Sequence, residues 1–144
     1  MKRIVYPSVF VVLFFSNIIL SCSRQGADKD EMVEWKEMEE FHVIMADVFH
    51  PLKDSGNLEV IRLRAEELAA NAAKWADAEL PEKVNNNEVK GALSNLKDDA
   101  RVLADQVKAQ AADSVISMQL TDLHDQFHGL QEAWYKGGEE HHDH

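Results

Sequence analysis

The sequence predicts an all-α fold, an up-down-up-down four-helix bundle. Four stretches of about 20 residues repeat apolar side chains at spacings of three and four, the signature of a helix with one buried face. Short clusters of Pro, Gly, Asn and Asp separate them, and no segment alternates apolar with polar residues as a half-buried strand does.

The first stretch, 28–49, carries Trp35, Met38, His42, Met45 and Phe49 on one stripe, and Pro51 with Asp54-Ser55-Gly56-Asn57 is expected to end it. The second, 58–79, holds Ile61, Leu63, Leu68, Ala72, Trp75 and Ala76, and closes at Pro81 and Asn85-Asn86-Asn87. In the third, 88–111, Val89, Leu93, Leu96, Ala100, Leu103 and Val107 step by three and four. Asp113 is placed to cap a fourth, 114–136, because its carboxylate can accept the free amide hydrogens of a first turn. That helix carries Ile116, Leu120, Leu123, Phe127, Leu130 and Trp134 and stops at Gly137-Gly138. Four amphipathic helices joined by short turns bury their stripes in one shared core. The same pattern also supports two helical hairpins that dimerise.

Ahead of the bundle, Met1-Lys2-Arg3 gives a short positive start, followed by an apolar run from Ile4 to Leu20. That is the layout of a secretory signal over 1–21. Ile19-Leu20-Ser21-Cys22 resembles the lipobox of bacterial lipoproteins, with Ile where Leu is usual and chemically equivalent to it. The resemblance implies cleavage before Cys22, acylation of its thiol by fatty acid such as palmitate, and a tether over 22–30 leading to the bundle at 31–136. Ser23, where an Asp would direct retention, implies the outer membrane, facing the periplasm. Cys22 is the chain's single cysteine, so the mature protein has no disulfide and no thiolate ligand.

Removing Lys2 and Arg3 from the 15 basic residues leaves 13 against 26 acidic ones, which argues against a nucleic-acid partner. The sequence shows no nucleophile–base arrangement, phosphate-binding loop or Glu-x-x-His pair, so an enzyme is not expected.

The seven histidines cluster at the two ends of the helical region: 42 and 50 early, 124 and 128 late, and 141, 142 and 144 in the acidic tail over 137–144. First and fourth helices are neighbours in such a bundle. If residue 50 lies level with 113, position 42 pairs with about 121, 38 with about 125, 35 with about 128, and Met45 with Met118. Met38, His42, His124 and His128 then fall within about one turn of each other at roughly 1.5 Å per residue. His124 and His128, at i and i+4, can address one ion from one helix face. An imidazole in the stripe, as at His42, needs a partner or a metal, since an unsatisfied buried nitrogen costs roughly 1–3 kcal/mol. His50, beside Pro51, reads as a surface or capping residue.

These residues predict a transition-metal site between the first and fourth helices. Imidazole with thioether suits copper, and imidazole with carboxylate suits zinc or nickel. The tail histidines His141, His142 and His144 would capture cations loosely. Envelope metal buffering, sensing or resistance, beside an efflux partner, follows as the expected role. A structural lipoprotein without an ion is the bland alternative, in which His42 finds a side-chain or water partner and the core methionines only fill space.

Residues 32–136 also resemble, in layout, the small periplasmic four-helix cytochromes that hold haem b non-covalently. Their first-helix methionine ligand corresponds to His42, with Met38 one turn before it, and their late histidine after an aromatic corresponds to Phe127-His128. The resemblance implies His42 and His128 as axial ligands of an electron carrier. The additional His124 departs from it and favours a bare ion.

Overall fold

The structure, a computed structural model, describes residues 34–137. The leader, Cys22 and the tether lie outside the described residues, as do His141, His142 and His144. Four helices follow in order: α1, Lys36–Ser55; α2, Glu59–Asp77; α3, Asn87–Lys108; and α4, Asp113–Lys136, with a single 3₁₀ turn at Glu82–Val84 between α2 and α3. Each packs on its sequence neighbours, and α1 also packs on α4, closing an up-down-up-down bundle. Among the described residues no helix is long and apolar enough to cross a membrane.

The turns show how local chemistry sets the boundaries. α1 does not stop at Phe49; it continues through Pro51 to Ser55. Pro51 has no amide hydrogen for the carbonyl four residues back, yet the helix continues past it and is ended by Gly56 at φ 69°, whose N–H donates to the Leu52 carbonyl. Asn86 caps α3 by accepting the Val89 N–H at 2.9 Å. Asp113 is not the cap of α4 but its first residue, preceded by Ala112, and its carboxylate accepts from Arg62 Nη2 at 2.5 Å.

Every buried residue among those described is apolar. Met38, Phe41, Met45 and Val48 of α1 face Ile61, Leu68, Ala72 and Trp75 of α2, Leu93, Leu96 and Leu103 of α3, and Ile116, Leu120, Leu123, Phe127 and Leu130 of α4. Full burial of each large side chain contributes about 1.5–3 kcal/mol before chain entropy is counted. Leu63 is not part of this face: it is 85% exposed, because it lies two residues, or about 200°, round α2 from buried Ile61. At one end of the core Trp35 meets Trp75 edge-on at 5.1 Å and Trp134 at 5.5 Å.

Polar pairs on the outside tie neighbouring helices together. Arg64 of α2 bonds Asp47 of α1, Arg101 of α3 bonds Glu66 of α2 through both terminal nitrogens, and Gln126 of α4 donates to Asp99 of α3. Exposed pairs of this kind favour one register more than they add stability.

Candidate metal site on the fourth helix

The contacts between α1 and α4 fix their register. Trp35 lies against Trp134, His42 against Phe127 and Phe49 against His124. Position 42 therefore lies level with 127, not 121, and position 35 with 134, not 128. The displacement follows from Pro51: α1 runs five residues beyond residue 50, so Ser55 and not His50 lies near the start of α4. Met45 is accordingly not paired with Met118. Met45 is buried, whereas Met118 is 59% exposed.

Within α4, His124 and His128 lie side by side, with their Nε2 atoms 3.1 Å apart. Helical i, i+4 spacing puts both rings on one face, and the two planes meet at 81°. Phe49 of α1 holds His124 from the other side, ring on ring at 3.7 Å and 12°. His128 is exposed, and its Nδ1 lies 3.2 Å from Gln131 Oε1, one turn further along α4.

One pair of tautomers satisfies both contacts. In it His128 donates from Nδ1 to the Gln131 oxygen and presents a lone pair at Nε2. The 3.1 Å contact then requires His124 to donate from Nε2. That leaves the His124 Nδ1 lone pair buried and without a hydrogen-bond partner, with Asp125 Oδ1 3.6 Å away. Burial first, and then the proximity of His128 and Lys53, hold the His124 imidazole below the usual histidine range, against the opposing pull of Asp125.

At the observed separation the two Nε2 atoms would subtend about 98° at an ion about 2.05 Å from each, between octahedral and tetrahedral angles. His124 would then carry its hydrogen on Nδ1, towards the Asp125 carboxylate, the usual outer partner of a ligating imidazole. His128 is already oriented that way by Gln131.

His42 is not central to the buried face of α1. The core is centred on Met38, Phe41, Met45 and Val48, and the His42 side chain is 46% exposed at its edge. Its ring stacks on Phe127 at 5.1 Å, and its Nδ1 lies 3.8 Å from Glu39 Oε2. His42 and His128 thus both contact the same phenyl ring. Met38 is buried in the core, and His50 is exposed as a helix-surface residue. Among the described residues no three or more His, Cys, Asp or Glu side chains are arranged to hold a metal ion. What the described residues bring together is the two-histidine pair.

The sequence places Phe49 on the core stripe without showing the histidine it stacks on, and it does not single out Gln131. Gln131 follows His128 by three, a spacing that places it on the same face, whereas the Phe49 stack depends on the register between helices. Searches of family models, curated proteins and solved structures yield no match to this chain.

Proposed function

We propose that this chain is a bacterial envelope lipoprotein, anchored through an acylated Cys22, that binds a copper or zinc ion at His124 and His128 for metal buffering or sensing. The observation that carries this reading is the convergence of the two Nε2 atoms at 3.1 Å, with Gln131 and Asp125 placed as outer partners. His42, stacked on Phe127, next to His128 in sequence, is the candidate third imidazole. Two imidazoles on one rigid helix lose little entropy on binding, which favours affinity over a floppy chelate. Imidazole donors suit both ions, and the acidic surface favours capture of any cation.

Calorimetric titration with copper and zinc tests the site. The full chain binds one ion tightly; His124→Ala with His128→Ala abolishes that component, and His42→Ala weakens it. Undiminished binding in the double variant overturns the reading. A visible spectrum separates the ion from haem b, the alternative with His42 and His128 as axial ligands. Labelled fatty acid tests the anchor, which Cys22→Ser removes.

A further inference from the structure

The sequence offers copper a thioether beside the histidines, and the structure takes that donor away. Met38 and Met45 are buried in the core with Phe41 and Val48. Met118, the other methionine among the described residues, stands six residues before His124, about 120° round α4, and is exposed. Imidazole nitrogen remains, together with water oxygen at the exposed His128. Soft thioether selects copper(I), whereas nitrogen with oxygen in a tetragonal arrangement suits copper(II).

The geometry of the pair disfavours copper(I) for a second reason. With only two donors, copper(I) takes them from opposite sides, and at about 2 Å per bond that needs Nε2 atoms about 4 Å apart. Here they are 3.1 Å apart, the ring centroids are separated by 4.4 Å and the planes meet at 81°. The two rings therefore approach at an angle, not end to end. Widening the pair would turn His124 off Phe49, on which it stacks at 12°, or His128 off Gln131. The angle of about 98° that the pair does offer is close to the right angle between neighbouring donors of a tetragonal ion.

We propose that the His124–His128 pair selects copper(II), held in two neighbouring positions of a tetragonal site that is otherwise open to water, over both copper(I) and zinc; the inference rests on the metal reading of that pair. Preference over zinc follows from the general order of divalent affinities, in which copper(II) stands highest for nitrogen donors. Preference over copper(I) is what this structure adds. Charge acts in the same direction. The Asp125 carboxylate, 3.6 Å from His124 Nδ1, attracts a dication more than a monocation, and its pull on His124 exceeds the opposing push of Lys53.

Anaerobic titrations of the full chain with copper(II), zinc and copper(I) form the test, with glycine as the competitor for copper(II) and bicinchoninate as the competitor for copper(I). Copper(II) is expected to bind about tenfold or more tighter than zinc and about a hundredfold or more tighter than copper(I). Its electron paramagnetic resonance spectrum should be tetragonal with nitrogen coupling. His128→Ala, at an exposed position where the fold is undisturbed, should lose that spectrum, as should His124→Ala/His128→Ala. Copper(I) or zinc held as tightly as copper(II) overturns the selectivity while leaving the pair intact. A full chain that binds none of the three overturns the pair, and the selectivity with it. An unchanged copper(II) spectrum and affinity in both variants place the ion elsewhere on the chain, which overturns both as well.

Discussion

The imidazole of His124 lies flat against the phenyl ring of Phe49, 3.7 Å between centroids and 12° between planes. The contact crosses from α4 to α1, so it holds the His124 side chain against rotation about its own helix. Phe49→Leu keeps most of the apolar volume and is expected to cost under about 1.5 kcal/mol. It removes the flat face, however, and so weakens copper and zinc binding several-fold. Denaturant titration and calorimetry on the same variant separate these effects. Wild-type affinity in Phe49→Leu would show that the stack does not position the ligand.

His124 also makes stability depend on pH with a definite sign. Its folded-state pKa is lowered from the ordinary 6.5, chiefly by burial. The unfolded chain therefore binds the proton more readily than the folded one. The stability contribution is complete above about pH 6.5, declines as pH falls through that value towards the lower folded one, and changes no further below it. Comparing denaturation midpoints at pH 7.5 and 5.5 in the wild type and in His124→Gln isolates this group. An equal pH slope in both would place the titration elsewhere.

The helices were legible because spacing by three and four survives any error at their ends: Leu93, Leu96, Ala100 and Leu103 are buried just where their pattern puts them. The register was not legible, because it depends on how far α1 continues past Pro51, and a proline reads as a stop unless the following turn is known to close on Gly56. His42 was misplaced within its helix for a related reason. The stripes 35-38-42-45-49 and 38-41-45-48 overlap, and only packing decides that Phe41 and Val48 take the core and His42 the rim. The His124–His128 pair was legible because i, i+4 geometry belongs to one helix and needs no partner to define it.

Trp134 anchors the far end of the core. It lies against Trp35, and the Lys83 ammonium stands 3.2 Å over its ring, where burial holds the lysine below its usual range. Trp134→Ala is expected to destabilise by about 3–5 kcal/mol, through the cavity it leaves. A further contribution of about 0.5–1 kcal/mol comes from the lost cation–π contact. Thermal and denaturant melts read the loss directly, and a change under about 1 kcal/mol would contradict the burial.

The glycines divide by what a methyl group would meet. At Gly91 and Gly129, inside α3 and α4, nothing lies within 4 Å of an added Cβ, so alanine there should stabilise each helix by about 0.5–1 kcal/mol. At Gly137 the same Cβ would come within 2.8 Å of the Lys83 carbonyl oxygen, a backbone atom that cannot swing aside. Gly137→Ala should therefore destabilise by about 1–3 kcal/mol and loosen the connection between α2 and α3 from the end of α4. Opposite signs at the three positions, read by melting temperature, constitute the test.

Bound metal should raise the melting temperature, because only the folded bundle brings the two Nε2 atoms to 3.1 Å. Unfolding separates residues four apart in sequence into a flexible chain, in which the chelate costs backbone entropy to form. With free ion at about 100 times its dissociation constant, linkage supplies about 2.7 kcal/mol, and for a bundle of this size that corresponds to a rise of roughly 10–20 °C. The rise should vanish in His124→Ala/His128→Ala, whose own melting temperature stays close to wild type because His128 is exposed and His124 lies at the rim of the core. Magnesium, which prefers oxygen donors and keeps its water, should produce no rise in either protein. Equal stabilisation of wild type and double variant by zinc would mean that the ion acts on the acidic surface at large, and the histidine pair would lose its claim to the site.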